Sequence, residues 1–209
     1  MNHQIIPSFS VPAIIWGEIY KFSKKEINYV KNLALNFNNL SDNQISKDTF
    51  LLDQPILNSL RKFILKGIDY YAYDFLKIKK DSAKFYITQS WVNHNNPGQH
   101  HHPHLHSNSL FSGVFYFQGE KAPIQFHRGN IPDFPLNFQY ESLTPYTAET
   151  YSVDIQIGKL FLFPSLLKHG VLMNKSSIPR ISLSFNTFAS GEFGKTSGLD
   201  QLKLEKNEF

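Results

Sequence analysis

The sequence contains no cysteine, which excludes disulfide bonds, thiolate metal sites and a cysteine nucleophile. Any bound metal must therefore be held by histidine, carboxylate or backbone oxygen ligands. The first residues also lack the basic stretch of a signal peptide, and Pro7 and Pro12 interrupt their apolar run. We therefore expect a cytoplasmic protein without a membrane span, and the absence of cysteine suits a reducing compartment.

Neither sign of charge is concentrated along the chain. The sequence has 21 Lys and Arg residues against 17 Asp and Glu, a net charge of +4, and its densest basic stretch, "KIKKD" at 77–81, is typical of a solvated helix end. Nucleic acid is therefore not an expected partner. The 209 residues, 41% of them hydrophobic, suffice for the core of one domain. The oligomeric state is left open, with a homodimer among the alternatives.

The region of about 20–80 is predicted to form two supporting helices. In "SKKEINYVKNLALNF", residues 23–37, apolar residues recur at helical spacing, and Ser23 and Glu26 form a capping box at the start. A second helical pattern runs from about Pro55 to Lys79, with Gly67 as a predicted weak or bent point.

From residue 84 onward the apolar pattern changes to a period of two, which indicates strands. Seven runs carry it, at 84–93, 109–119, 123–128, 149–157, 159–164, 169–173 and 180–188. Strands without intervening helices predict a mainly β fold, a double-sheet jelly roll over 84–188 with the helices packed on it. Residues 128–148, with three prolines, are expected to form a loop near the mouth, and 189–209 a polar, mobile tail. All of this is expected to form a single domain.

The stretch "HHHPHLHS", residues 100–107, holds five of the nine histidines. In an extended segment His104 and His106 point to the same face, about 7 Å apart at their Cα atoms, so they can aim two imidazoles at one ion. His-rich loops also occur without such a role, and the pair alone does not decide between the two. His169 lies far enough downstream for the chain to cross the jelly roll and return beside the pair.

Arg180 begins the apolar strand pattern "RISLSF", and Ser182 follows on the same face. Burying an arginine side chain in the protein interior reduces the unfolding free energy by several kcal/mol (~2–5 kcal/mol) unless the guanidinium meets an anion. The residues therefore predict a bound carboxylate beside this strand.

The three segments "SWVNHNNPGQHHHPHLHSNSLFSGVFYF", "GKLFLFPSLLKHGV" and "PRISLSFN" resemble, in this order, the Fe(II)/2-oxoglutarate-dependent dioxygenases. More narrowly they resemble the 2OG-Fe(II) oxygenase group frequent in marine bacteria and their phages, and in outline the prolyl hydroxylases. The resemblance covers residues 84–188 and implies a double-stranded β-helix, a cupin-like form of jelly roll. It also implies an enzyme that uses Fe(II), 2-oxoglutarate and O2.

The resemblance also implies roles for single residues. It assigns three histidines to iron, namely His104, His106 and His169. It assigns four side chains to 2-oxoglutarate, with a bidentate arginine pair first: Arg180, Ser182, Tyr116 and Asn93. The commonest third iron ligand is Asp or Glu, so His106 departs from the pattern and leaves the site one negative charge poorer.

Other interpretations of these residues stay open. Tyr116 also fits a core aromatic residue, and Asn93 a polar residue at a strand end. The run 100–102 is interpreted as a solvated approach, although its histidines could also replace His106 or line the entrance.

The implied reaction is hydroxylation of a C–H bond with release of succinate and CO2, on a peptide or protein side chain as in prolyl hydroxylases. Free amino acids, nucleobases and lipids remain open as substrates. One alternative is a cupin-like three-histidine oxygenase that does not use 2-oxoglutarate. Another is a non-catalytic jelly-roll binding module.

Overall fold

The computed structural model describes residues 11–38, 43–129, 138–144 and 147–205, which form two antiparallel sheets and two α-helices. The helices are α1 (Lys24–Lys31) and α2 (Asn58–Asp69). The strands are β1 (Ile14–Ile15), β2 (Leu35–Asn38), β3 (Asn43–Ser46), β4 (Ala83–Asn95), β5 (His101–His104), β6 (Phe111–Gln118), β7 (Ile124–His127), β8 (Thr150–Val153), β9 (Leu160–Pro164), β10 (His169–Val171), β11 (Arg180–Phe193) and β12 (Leu202–Leu204).

The two sheets form the predicted jelly roll. The large sheet has the order β1-β9-β6-β11-β4-β3-β2, with β12 on β11, and the small sheet has the order β5-β10-β7-β8. Each of the seven predicted runs contains a strand, although β8 and β10 are shorter than the runs that contain them. In the described part of the chain, no helix is long and apolar enough to cross a membrane.

The first helix is shorter than predicted. Its capping box is present, with the Ser23 hydroxyl accepting from the Glu26 amide at 3.2 Å. The helix ends at Lys31, however, and β2 follows and pairs with β3. The helical spacing in 33–37 is therefore fortuitous, since "LNFN" also alternates and the sheet offers it a partner strand.

The second helical pattern is present in three parts. A 3-10 turn at Pro55–Leu57 leads into α2, and a π-helical turn at Tyr70–Phe75 ends it before Lys79. The predicted weak or bent point at Gly67 does not end the helix, because α2 continues through it. A Cβ atom there would lie 2.4 Å from Leu160 Cδ2, so glycine lets α2 pack closely on β9.

Part of the expected tail lies in the sheet, since residues 189–193 belong to β11 and residues 202–204 form β12. Strand β11 continues to Phe193 and pairs with β4 as far as Gly191 and with β12 beyond it. Ala189 is 1% exposed, so this part of the strand is anchored in the fold. Residues 130–137 and 145–146 of the expected loop near the mouth, and 206–209 of the tail, lie outside the described residues.

Strand β11 separates the core from the site. Ile181, Leu183 and Phe185 face the hydrophobic core that the large sheet shares with the helices. The alternate residues Arg180 and Ser184 face a cavity between the two sheets. The period of two therefore directs polar side chains into the space between the sheets.

Candidate metal centre and cosubstrate pocket

Three histidines converge between the sheets. His104 on β5 and His169 on β10 are directly opposite in the antiparallel register, and His106 follows β5. The His106 amide donates to the Ser165 carbonyl at 2.9 Å, which fixes the backbone beyond the strand end. One potential ligand atom from each ring lies within 4.8 Å of the others, close enough to bind one ion.

Backbone carbonyls orient two of the rings. His104 Nδ1 lies 2.8 Å from the His102 carbonyl oxygen, and His169 Nδ1 lies 2.8 Å from the Leu167 carbonyl oxygen. A neutral imidazole donates from Nδ1 in this arrangement and keeps a free lone pair on Nε2. The local backbone therefore prepares both rings to bind a metal through Nε2.

Burial keeps the three rings neutral. It lowers the pKa of His169 to about 3 and that of His106 to about 4, and it lowers the pKa of His104, with the neighbouring histidines adding to the effect. Metal binding requires an unprotonated imidazole, so the rings are in the ligand form at neutral pH.

The surroundings of the rings are aromatic and contain no carboxylate. Trp91 stacks on His106 at a centroid distance of 5.9 Å, and Phe163 meets His169 edge-on at 4.6 Å. No Asp or Glu is among the described residues that line the cavity. His106 Nε2 is buried with no hydrogen-bond partner in the described structure, as expected of an atom reserved for a metal. His106 is thus a third imidazole in the cavity, and none of the described residues that line it offers a carboxylate.

A second set of unpartnered groups surrounds Arg180, which is 2% exposed. Its Nη1 donates to Asn95 Oδ1 at 3.0 Å, and its guanidinium lies 5.0 Å from the centre of the Tyr116 ring. Three buried donors, Arg180 Nε, Ser182 Oγ and the Tyr116 hydroxyl, have no hydrogen-bond partner among the described residues. Each such group costs about 1–3 kcal/mol when left unsatisfied, and a carboxylate offers the acceptors that all three lack.

Tyr116 and Asn93 differ in how much of their hydrogen-bonding capacity is free. Burial raises the pKa of the Tyr116 phenol, so its hydroxyl is a donor at neutral pH. Asn93 lines the cavity, but its Oδ1 accepts from Asn43 at 3.2 Å and its Nδ2 donates to Ser184 at 3.0 Å. Only one amide hydrogen of Asn93 is left for a ligand.

His101 lines the cavity, whereas the sequence interpretation places it in a solvated loop that leads to the site. Its ring lines the cavity and stacks on His104 at 4.4 Å with an interplanar angle of 21°, whereas His100 is exposed. The cause is a β-bulge in β5. His169 pairs with His104 and Val171 pairs with His101, so three residue steps on β5 lie opposite two on β10. The extra residue turns His101 toward the site, which strict alternation from His104 would not predict.

A jelly roll with three inward histidines and a buried arginine can hold one metal ion and an anionic ligand between its two sheets. Residues 89–186 match the family model described as "Putative 2OG-Fe(II) oxygenase". The matched residues, 98 of 209, are similar to this family of oxidoreductases, whose members use Fe(II), 2-oxoglutarate and O2. A search of curated protein sequences finds no match.

Solved structures share the fold at low sequence identity. A 2OG-Fe(II) oxygenase family oxidoreductase from Burkholderia pseudomallei is 13% identical with a TM-score of 0.55, over 84% of this chain and 83% of the other. A prolyl-4-hydroxylase from Pseudomonas putida is 15% identical with a TM-score of 0.52, over 77% and 82%. HygX from Streptomyces hygroscopicus, with nickel, 2-oxoglutarate and hygromycin B bound, is 12% identical with a TM-score of 0.53, over 84% and 82%.

Proposed function

We propose that this oxygenase hydroxylates a C–H bond of a peptide or protein side chain and releases succinate and CO2. One observation carries the proposal. The three neutral histidines and the guanidinium of Arg180 line the same cavity between the sheets. A cosubstrate bound by both would therefore have one end at the metal and its far carboxylate at the arginine.

The proposed metal ligands are His104, His106 and His169, because their free ring nitrogens converge and their burial keeps them unprotonated. An all-nitrogen set fits Fe(II), for which imidazole is a suitable donor. Fe(II) bound with 2-oxoglutarate and O2 supplies the oxidising power for the C–H bond. The protein positions the reacting groups, and the Trp91 and Phe163 rings keep water away from the ligands.

The proposed cosubstrate contacts are Arg180, Ser182 and Tyr116, with Asn93 contributing its one free amide hydrogen. The first three are buried donors without a hydrogen-bond partner in the described structure, and a carboxylate would supply the acceptors that they lack. The same donors argue against a three-histidine oxygenase without 2-oxoglutarate, since that enzyme would leave a buried charge without an anion.

A peptide or protein side chain is the proposed substrate because the site borders an exposed apolar surface. Leu105, between two proposed ligands, is 49% exposed, and Leu166, next to the Ser165 that anchors His106, is 71% exposed. A bound chain would cover such residues and present one side chain to the cavity. The fold likeness to the Pseudomonas putida prolyl-4-hydroxylase agrees with this substrate class, while HygX with its hygromycin B makes a small molecule the alternative to test.

We infer that residues 1–209 act as a single oxygenase domain. The hydrophobic core joins Val30 of α1 and Leu60 of α2 to Val92 and Leu183 of the large sheet, so the helices have no separate core.

Anaerobic titration of the full chain with Fe(II) and then 2-oxoglutarate tests the cosubstrate assignment. We expect a weak visible charge-transfer band that saturates with 2-oxoglutarate in the wild type. The band should be lost in His169→Ala and require far more 2-oxoglutarate in Arg180→Ala. A wild type without the band, or an Arg180→Ala variant of unchanged affinity, contradicts the assignment.

The substrate class is tested by succinate release in air, comparing proline-containing peptides with small polycyclic and sugar-containing molecules. Stimulation by peptides, together with a mass gain of one oxygen on the peptide, supports the proposal. Stimulation confined to small molecules contradicts it.

A further inference from the structure

We propose that His101 is a cosubstrate-contacting residue, whose ring donates a hydrogen bond to the metal-facing end of bound 2-oxoglutarate. This inference rests on the proposed function and extends it to a residue outside the three ligands and the arginine pocket.

The position of His101 is the first support. Its ring stacks on that of His104 at 4.4 Å and lines the same cavity as Arg180 and His169. Burial is the main cause that lowers the pKa of His101, and the charges of the neighbouring histidines and of Arg180 add to it. His101 therefore shares one cavity with the proposed metal ligands and with the arginine.

The free hydrogen-bonding capacity of His101 is the second support. Within the described residues its ring makes no hydrogen bond, and its nitrogens are not among the buried unpartnered atoms, so the donor and the acceptor of a neutral imidazole are open to a ligand in the cavity. His104 and His169 differ from it, because each has a backbone carbonyl at Nδ1. His101 is also outside the group whose ligand atoms converge on one point, so it has no place among the metal ligands.

The bulge in β5 is the third support. It inserts one residue opposite His169 and Val171, and it turns His101 rather than His102 toward the cavity. Gly170, between those two β10 residues, permits this approach, because a Cβ atom there would lie 2.9 Å from the His101 carbonyl oxygen. Bulges of this kind re-aim a side chain next to active sites.

The test compares three variants of the full chain under anaerobic conditions: His101→Phe, His101→Gln and His100→Phe. Phenylalanine keeps a flat ring on His104 but has no donor, glutamine restores an N–H group, and His100 is the exposed control. Metal affinity is measured first with Co(II) alone, and 2-oxoglutarate affinity next from the charge-transfer band of the Fe(II) protein.

We expect His101→Phe to bind Co(II) as the wild type does and to bind 2-oxoglutarate about ten- to hundred-fold more weakly, the loss typical of a hydrogen bond to a charged group. His101→Gln should recover part of this loss, and His100→Phe should match the wild type. Unchanged 2-oxoglutarate affinity in His101→Phe would overturn the inference. So would an equal loss of Co(II) affinity, which would make His101 a positioning residue for His104. Failure of the proposed function is distinct from both, since the wild type itself would then show no 2-oxoglutarate-dependent band.

Discussion

Replacement of Arg180 by methionine separates two effects of this buried charge, its effect on the unfolding free energy of the protein and its contribution to 2-oxoglutarate affinity. Without a ligand, the guanidinium has one hydrogen bond, to Asn95 at 3.0 Å, and the Tyr116 ring at 5.0 Å, and none of the described carboxylates forms an ion pair with it. Losing the ring contact costs up to about 2 kcal/mol, and leaving Asn95 Oδ1 without its donor costs about 1–3 kcal/mol. Removing an unpaired buried charge offsets these by several kcal/mol, on the order of 3–5.

The expected change in the unfolding free energy of the ligand-free variant is therefore small, within about 2 kcal/mol of the wild type. The effect on binding is larger, because truncating one partner of a buried charge pair costs about 2–5 kcal/mol, or at least ~30-fold in affinity. At 100 times its Kd, 2-oxoglutarate stabilises the wild type by about 2.7 kcal/mol, which raises Tm by roughly 5–10 °C for a chain of this size. The same concentration should stabilise Arg180→Met by less than about 1 kcal/mol.

Thermal unfolding of the Ni(II)-loaded protein with and without 2-oxoglutarate measures both quantities. Arg61→Met is the matched control, because Arg61 pairs with Asp53 at 3.4 Å on the helical side of the molecule. It should keep the full shift in Tm. A full shift in Arg180→Met, or a ligand-free variant more than about 4 kcal/mol less stable than the wild type, would refute the reasoning, since Arg180 would then be a structural residue.

Three further predictions concern the metal ligands, pH and packing. In isothermal titration, His169→Ala should bind Co(II) at least about 100-fold more weakly than the wild type. His106→Asp should keep tight binding, because a carboxylate also ligates the ion. Equal losses of affinity in both variants would contradict the ligand assignment. Burial lowers the pKa of His101 and His169 to about 3 and of His106 to about 4, so the metal-free protein should lose stability as pH falls from about 6.5 toward these values. His101→Phe should then reduce the proton uptake on unfolding at pH 5 by about one, and an unchanged uptake would show that the ring is already protonated in the folded state. Gly67→Ala should destabilise by about 1 kcal/mol net in thermal unfolding, since overpacking against a leucine of β9 exceeds the gain in helix propensity. Gly17→Ala should be neutral, because no described residue has an atom within 4 Å of the added Cβ.

The sequence was most informative where one segment carries its own pattern. Alternation predicted the strands that became β4, β6 and β11, because each side chain's face follows from the period of two. The spacing of His104 and His106, with His169 and Arg180 in order behind them, predicted which side chains would meet.

The local sequence pattern gave a wrong prediction where a segment fits more than one structure and contacts with distant residues decide between them. Residues 35–38 fit a helix or a strand, and pairing with β3 made them a strand. Residues 189–193 are polar enough for a tail, yet β4 and β12 on either side bind them into the sheet. Neither outcome follows from local composition, since the partner strands lie elsewhere in the chain.

The sequence by itself therefore determined the jelly roll, the three histidines and the buried arginine, because periodicity and ordered motifs are properties of the chain. Only the tertiary structure decided that His101 belongs to the site and that Ser182 and Tyr116 join Arg180 as unpartnered donors. The bulge opposite His169 depends on register between two strands, and a donor lacks a partner only in relation to everything packed around it. Both are relations between distant segments, which no single stretch of the sequence contains.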